Sequence, residues 1–311
     1  MILYKHFLNI DEHAGCLPGW EQTYAQLEPG KYSGTFIQIQ GRNIALYREY
    51  ANVDAIHSFK YDNSKRYFLI PVKGNSSFPF SADGIYLLPR GDKIHSPAPA
   101  HYEMIILSVP LQDTEWLNKR DRAFKKLPLK LDDYHYVYQE IESITRYFMT
   151  EKNVRPTDSI KAAVRRKLQD ITAFLVSAVN LNSHRYQPFY SNSRFIVNAC
   201  HAYLEAHPTQ PPTLIELCRM LRLSRRTLQY SFEKEVGVTP SYYFRAIRLN
   251  AVRRTLITHP DISIGHAAAM QGFFNQPYFT RSYRQLFLES ATETVKRARN
   301  KDDRGAKKQD L

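Results

Sequence analysis

The chain has 311 residues, of which 43% are hydrophobic, and a formal net charge of +13. This length and composition exclude a disordered chain and predict two globular domains, each large enough to bury its own core. The three cysteines are too few and too widely spaced for a disulfide framework or a zinc finger. The first residues lack the apolar core of a signal peptide, and no stretch approaches the roughly 20 apolar residues of a membrane span. We therefore expect a cytoplasmic protein without a membrane partner.

Residues 1–130 are predicted to form a β-rich sensor domain. Short apolar or alternating runs, separated by Gly, Pro, Asn and Asp, occur at 34–39, 44–50, 67–72, 84–88 and 104–109. Regularly spaced short strands are typical of a barrel or jelly roll, whose interior can hold a small ligand. Seven aromatic residues are candidates for lining that interior, with ordinary core packing as the alternative for each: Tyr47, Tyr67, Phe68, Phe78, Phe80, Tyr86 and Tyr102.

Three histidines of this domain raise the question of a metal site, since histidines on a barrel can ligate iron or zinc. They are His57, His95 and His101. His95 and His101 flank Ser-Pro-Ala-Pro-Ala, which is predicted to be a loop, and no close histidine pair comes with a matching carboxylate. We therefore expect no metal and no cofactor. The sequence also lacks a nucleophile elbow, a phosphate-binding loop and a dinucleotide fingerprint, so we do not expect an enzyme.

Residues 131–181 are predicted to be a helical connector, with helices over 132–149 and 158–181. The second helix carries an apolar stripe at three-to-four spacing, formed by Ile160, Val164, Leu168, Ile171, Leu175 and Val179. The stripe either packs against the β-rich domain or forms a dimer seam. The polar, irregular segment 182–193 is predicted to be an interdomain linker.

The last third of the chain repeats one two-helix layout. Its first copy has a helix from Thr213, a turn at Leu221, and a second helix from Ser224 that ends before Gly237. About fifty residues on, the layout returns as helix 264–270, the turn Gln271-Gly-Phe-Phe, and helix 275–287. A short αα motif used twice predicts a tandem helix-turn-helix unit that binds duplex DNA.

Local signals support both copies. Ser224 and Asn275 are the expected N-caps of the second helices, and Pro277 lies in a first turn, where its missing N–H is not needed. Gly272 supplies the left-handed conformation that a sharp turn requires. The stretch 241–258 between the copies is predicted to be one continuous helix that spaces them.

The polar faces of these helices carry the candidate DNA contacts. Near the N-termini of the two recognition helices, side chains can reach base edges in the major groove. The candidates are Arg225, Arg226, Gln229 and Tyr230 in the first copy, and Gln276, Thr280, Arg281 and Arg284 in the second. Tyr230 has the alternative of a partly buried aromatic. The helix N-termini at Ser224 and Asn275 add backbone donors for phosphates.

Charge is concentrated in the same region. From Tyr190 to the end the chain has 19 Lys and Arg against 10 Asp and Glu. A basic domain gains counterion release when it meets phosphates, so binding should weaken steeply with salt. Composition alone also permits RNA or an anionic membrane surface, and the tandem motif favours DNA.

These features resemble the AraC family of bacterial transcription regulators over residues 195–294. The resemblance rests on Leu-Ser-Arg-Arg-Thr-Leu before Phe232, on Gly237-Val-Thr-Pro, on Arg248-Leu, on Gly272-Phe, and on Tyr278-Phe with Arg281. It implies base-reading roles for Arg226, Gln229, Tyr230, Gln276, Pro277, Thr280 and Arg281, together with a cupin-like sensor barrel, a homodimer and RNA polymerase as a partner. The chain departs from the family where Leu288-Glu-Ser-Ala replaces Gly-x-x-Pro, and where Pro277 replaces a small polar residue.

Segments 20–34 and 46–50 also resemble the sensor domain of the ethanolamine-operon regulators within that family. The expected architecture is therefore α+β, with a sensor, a DNA-binding domain over 194–299 and a disordered tail over 300–311. The expected function is a sequence-specific DNA-binding transcription activator that responds to a small-molecule effector. The alternatives are a ligand-independent architectural DNA binder and a metal-dependent cupin-type enzyme fused to DNA-binding helices.

Overall fold

The computed structural model describes residues 2–73, 84–89, 93–110, 125–150, 156–181 and 192–306. Its strands are, in chain order, β1 Ile2–Phe7, β2 Trp20–Gln26, β3 Gly34–Gln40, β4 Ala45–Ala51, β5 Ala55–Tyr61, β6 Lys65–Lys73, β7 Tyr86–Leu87, β8 Ile94–Ala98, β9 Tyr102–Pro110 and β10 Lys125–Lys126. Its helices are α1 Ile10–Ala14, α2 Leu131–Thr150, α3 Asp158–Leu181, α4 Asn192–Ala206, α5 Leu214–Met220, α6 Arg225–Val236, α7 Pro240–Thr258, α8 Ile264–Ala269, α9 Gln276–Phe287 and α10 Ala291–Ala306. The chain is therefore β-rich first and helical afterwards, as predicted.

The strands form two antiparallel sheets. The large sheet has the order β1-β3-β4-β9-β6-β7-β10, and the small sheet has the order β2-β5-β8. All five predicted apolar runs lie on strands of the large sheet. Within the described ranges no strand of one sheet pairs with a strand of the other, so the cupin-like barrel that the resemblance implies is not confirmed.

Alternating side chains of the large sheet serve two cores, because successive residues of a strand point to opposite faces. Tyr102 and Met104 of β9 pack in the core shared with the small sheet. Ile105 and Leu107 of the same strand pack in the core shared with α2 and α3. The N-terminal part thus has three layers, which are the small sheet, the large sheet and a helix pair.

The two connector helices lie close to their predicted bounds. In α3 the side chains of Leu168, Ile171 and Leu175 are buried in the core beneath the large sheet, and Ile160 and Val164 pack against it. These five residues therefore pack within their own chain, which agrees with the first of the two alternatives. A dimer seam along α3 stays a prediction.

One predicted loop is wrong. The segment Ser-Pro-Ala-Pro-Ala contributes to strand β8, in which Pro97 pairs with Ile56 of β5. A proline fits there because β8 is an edge strand, where one row of backbone groups needs no partner.

The helical part extends beyond its predicted bounds. Helix α4 begins at Asn192, so the last two residues assigned to the linker are helical. Helix α10 runs to Ala306, into the segment predicted to be disordered. Residues 182–191 and 307–311 lie outside the described residues. None of the helices in the described ranges has the length and apolarity to cross a membrane.

Candidate nucleic-acid interface

The first helix-turn-helix unit is formed by α5 and α6. Thr213 caps α5 and exchanges hydrogen bonds with Glu216 in a capping box. The Ser224 Oγ accepts from the Thr227 N–H at 3.0 Å and so caps α6, as predicted. Helix α6 ends at Gly237, whose φ of 69° lies in the left-handed region that glycine favours.

The second unit, α8 and α9, repeats this construction. The Asn275 Oδ1 accepts from the Tyr278 N–H at 2.9 Å, and Pro277 lies in the first turn of α9. Both predictions are confirmed. Helix α9 has 12 residues, as α6 does, but ends at Leu288 with a φ of 52°. A residue with a side chain costs about 1–2 kcal/mol in that conformation. Because Leu288 stands where the family pattern has glycine, this helix end is strained.

Glycine is needed in the turn of the second unit. Gly272 has a φ of 73°, and a Cβ there would lie 3.0 Å from both the Thr209 carbonyl oxygen and the Pro211 Cδ. The corresponding turn of the first unit has Arg222 at a φ of 53°. Both turns therefore bend in the same way, although only the second uses glycine.

Each recognition helix buries one face. Leu228 and Phe232 of α6, like Phe279 and Tyr283 of α9, are fully buried in the core of the helical part. The candidate DNA contacts lie on the other side and are exposed, except Gln229, which is half-buried. Tyr230 is 60% exposed, which favours the base-reading role over the alternative of a partly buried aromatic. Whether these residues contact bases stays a prediction.

Four arginines of the two recognition helices are available for anions. Within the described part of the chain, no ion pair involves Arg225, Arg226, Arg281 or Arg284. Guanidinium groups without a carboxylate partner can bind phosphate or guanine in a bidentate manner.

The arginines of α7 have another role. Arg253 and Arg254 both pair with carboxylates of other elements, and Arg254 keeps about a third of its side chain exposed. Arg253 is buried 3.1 Å from a Glu289 oxygen, and Arg254 bonds to Asp11 at 2.8 Å. The first ties α7 to the end of α9, and the second ties it to the N-terminal part.

Helix α7 spans the predicted spacer without a break, from the Thr239 cap to His259. Its length is roughly 28 Å at ~1.5 Å per residue. Buried residues occur on nearly every turn of α7, because both helix-turn-helix units pack against it. The spacer is therefore part of the common core, which holds the two recognition helices in a fixed relation.

The helical part docks on β2, an edge strand of the small sheet. The Asn250 side chain of α7 accepts from the Gln26 N–H at 2.9 Å and donates to the Gln26 carbonyl at 2.8 Å. The Tyr242 hydroxyl donates to the Leu27 carbonyl at 2.7 Å. Side chains of α7 thus satisfy backbone groups that an edge strand would otherwise expose.

A small cavity of about 40 Å³ lies between the two sheets. Trp20, Gln22, Tyr24, Glu49, His57 and Tyr102 contribute to its lining. Burial raises the pKa of Glu49 to about 7, although hydrogen bonds from Tyr24 and Tyr102 act in the opposite direction. The side chain of His57 stacks on Tyr24 with ring centroids 3.6 Å apart, and burial lowers its pKa well below the usual value.

Of the aromatic candidates for the interior, Tyr102 lines this cavity. Tyr47, Tyr67 and Tyr86 belong to the surrounding core, and Phe68 lies in the core on the opposite face of the large sheet. Phe78 and Phe80 lie outside the described residues. The sequence does not single out Glu49, because a charged residue within an alternating strand is usually on the solvent face.

The three candidate histidines are not brought together. His57 lies beside the cavity, and His101 bonds to the Tyr50 hydroxyl at 2.8 Å. His95 instead lies next to His201 of α4, with ring centroids 4.0 Å apart. No sequence signal joins His95 and His201, because they belong to different parts of the fold.

Residues 217–297 match a family model described as a helix-turn-helix domain. A probable thc operon regulatory protein of Rhodococcus erythropolis is 33% identical over 103 residues, which are 32% of this chain and 31% of that protein. The transcriptional activator RhaS of Escherichia fergusonii is 26% identical over 161 residues, 52% of this chain and 55% of that protein. The chain thus spans less than a third of the first relative and about half of the second.

Among solved structures, a transcriptional regulator from Chromobacterium violaceum with an AraC-type DNA-binding domain is 26% identical. The match covers 35% of this chain and 96% of that chain, with a TM-score of 0.33. The residues matched by the family model hold all of the second unit described above and all of the first except the start of α5. Residues 217–297 are therefore similar to a helix-turn-helix domain, and the two relatives named above are described as transcription regulators.

Proposed function

We propose that this protein is a sequence-specific DNA-binding transcription regulator. The observation that carries the proposal is the pair of capped 12-residue helices, α6 and α9, which expose polar faces and unpaired arginines from one shared core. One protomer would place the two helices in successive major grooves on one face of the duplex, where grooves recur about every 34 Å. The AraC-type relatives support this function.

The N-terminal part is proposed to be an effector sensor of the cupin-like type, with a signal of the ethanolamine-operon kind suggested by resemblance alone. The cavity between the sheets supports a small polar effector, because a buried carboxyl group and an imidazole line it. Its volume of about 40 Å³ holds only a few waters, so a larger ligand would have to open the sheets.

Strand β2 offers a route from effector to DNA. Gln22 and Tyr24 line the cavity, and Gln26 of the same strand bonds to Asn250 of the spacer helix. A ligand that displaced β2 would thereby move α7 and both units packed on it. A ligand can shift the equilibrium between the two arrangements of β2 and α7 only by as much as its affinities for them differ.

The remaining parts of the proposal follow from the resemblance. The protein would act as an activator that contacts RNA polymerase in the cytoplasm, and it would form a homodimer. Catalysis has no part in the proposal.

Single alanine substitutions test the base-reading roles. We expect Gln229→Ala and Arg281→Ala each to weaken binding to a duplex selected from a random pool by about 1–3 kcal/mol, roughly 5–150-fold. Binding to a scrambled duplex should change little, because base contacts contribute only at the specific site. Fluorescence anisotropy at one fixed salt concentration measures both affinities.

Arg146→Ala is the matched control, since it removes an exposed arginine of α2 and should leave both affinities unchanged. Equal losses on selected and scrambled duplexes would refute the roles assigned to Gln229 and Arg281. A ligand-independent architectural binder would show no difference between the two duplexes even before mutation.

A further inference from the structure

A polar cluster lies where β8 of the small sheet meets α4 of the helical part. It consists of His95, His201 and Glu205, which each offer one ligand atom, and these atoms all lie within 4.8 Å of one another. The His201 Nε2 is 3.5 Å from a Glu205 carboxylate oxygen. His201 and Glu205 are four residues apart on α4, so one helix face presents both, and β8 presents the third group from the opposite side.

We propose that His95, His201 and Glu205 bind one zinc ion, or a similar divalent transition metal, at this junction. Two imidazoles and one carboxylate are a ligand set that zinc uses with a water in the fourth position. Ligand atoms at ~2.0–2.2 Å from zinc are roughly 3.3 Å apart, a spacing that the His201–Glu205 pair already approaches. The half-exposed Glu205 has the freedom to close the remaining distance.

The surroundings fit metal ligation. The His95 Nδ1 is 2.7 Å from the Ser58 Oγ, and the His201 Nδ1 is 2.6 Å from the Tyr243 hydroxyl. When a ligating histidine uses one ring nitrogen for the metal, its other ring N–H usually donates to a neighbouring oxygen, which fixes the ring. For His201, donation from Nδ1 to Tyr243 would leave the Nε2 lone pair directed at Glu205.

Both histidines are buried, whereas Glu205 faces solvent on one side. That side gives a metal ion a path to the cluster and a place for the water ligand. The Lys93 Nζ occupies it, at 2.6 Å from a Glu205 oxygen. Lysine is therefore the competitor that a metal ion must displace from the carboxylate.

A bound ion would join the sensor to the DNA-binding domain. Helix α4 packs against α6, the first recognition helix, and the Tyr243 that contacts His201 belongs to the spacer α7. A metal held by one ligand from β8 and two from α4 would fix the small sheet against this assembly.

Zinc titration of the tag-free, chelator-treated full chain tests the proposal by isothermal titration calorimetry. We expect one zinc per chain. Glu205→Gln should weaken the affinity at least about ten-fold, since changes outside the ligand set alone cause losses of that size. This variant keeps the size and shape of an accessible side chain, and circular dichroism checks that it folds. His207→Gln, which alters an exposed histidine just after α4, should bind zinc as the wild type does.

Lys93→Ala separates a metal site from an ordinary ion-pair network. If Lys93 competes for the carboxylate, its removal should tighten zinc binding, whereas loss of a purely structural ion pair would not. Absence of stoichiometric zinc binding to the wild type would overturn the proposal. It would also be overturned if Glu205→Gln and His207→Gln bound zinc equally well.

Discussion

Phe279→Ala should destabilise the second helix-turn-helix unit by about 3–5 kcal/mol and abolish specific DNA binding. The Phe279 side chain is 1% exposed, with its ring centroid 5.5 Å from those of both Phe273 and Tyr283. Truncation would leave a cavity at the point where the turn, α9 and the spacer meet. Hydrogen exchange of α9 amides, followed by mass spectrometry, measures the loss locally, because a two-part chain need not unfold in one step.

Phe274→Ala is the matched control for stability. It makes the same chemical change five residues earlier, on a side chain that is 76% exposed. The free energy of opening of α9, measured by hydrogen exchange, should then change by no more than about 0.5 kcal/mol. If both variants opened α9 equally, the packing described for the second unit would be wrong.

Arg48→Ala should lower the free energy of unfolding of the N-terminal part by about 3–5 kcal/mol, because it leaves the buried Glu103 carboxylate without its cation and the half-buried Glu142 with only the exposed Arg146. The buried Arg48 donates to Glu103 at 2.7 Å, and to Glu142 and Thr145 of α2 at 2.6 Å each. This residue joins the large sheet to the helix layer. Urea unfolding followed by circular dichroism, with exchange in β4 and α2, measures the effect.

Arg146→Ala serves as the control here as well. Arg146 pairs with the same Glu142, at 3.4 Å, but its side chain is 75% exposed. Exposed pairs of this kind contribute about 0–1 kcal/mol, since water screens both charges. A loss from Arg146→Ala as large as that from Arg48→Ala would contradict the account of a buried junction.

The parts predicted best from sequence are those that local chemistry determines. Ser224 and Asn275 are caps in the structure because each follows a turn and precedes an apolar helical period. Gly272 has the expected left-handed turn for the same local reason. The base-facing sides of α6 and α9 could be predicted because their opposite sides carry the regularly spaced core residues.

The parts that sequence did not reveal depend on distant contacts. The Gln26–Asn250 pair joins residues 224 positions apart, so no periodicity of either segment indicates it. Arg253 is expected at the surface from its charge, yet it is buried and forms an ion pair with Glu289. Pro97 suggests a loop until the edge position of β8 is known. Strand spacing indicates a barrel or jelly roll, but it does not determine whether two sheets join, and the cupin-like barrel was implied by the resemblance alone.

Changing the spacing of the two DNA contacts tests whether one chain reads consecutive major grooves with α6 and α9. The full chain is titrated against its selected duplex and against a lengthened duplex. The lengthened duplex has about five base pairs, half of a ~10-base-pair turn, inserted between the two segments that the protein protects in a footprint. Because α7 fixes the relation of α6 and α9, the insertion should weaken binding at least about 100-fold, as several base pairs lose contacts of about 1–3 kcal/mol each. Unchanged affinity for the lengthened duplex would show that the two units do not read consecutive grooves.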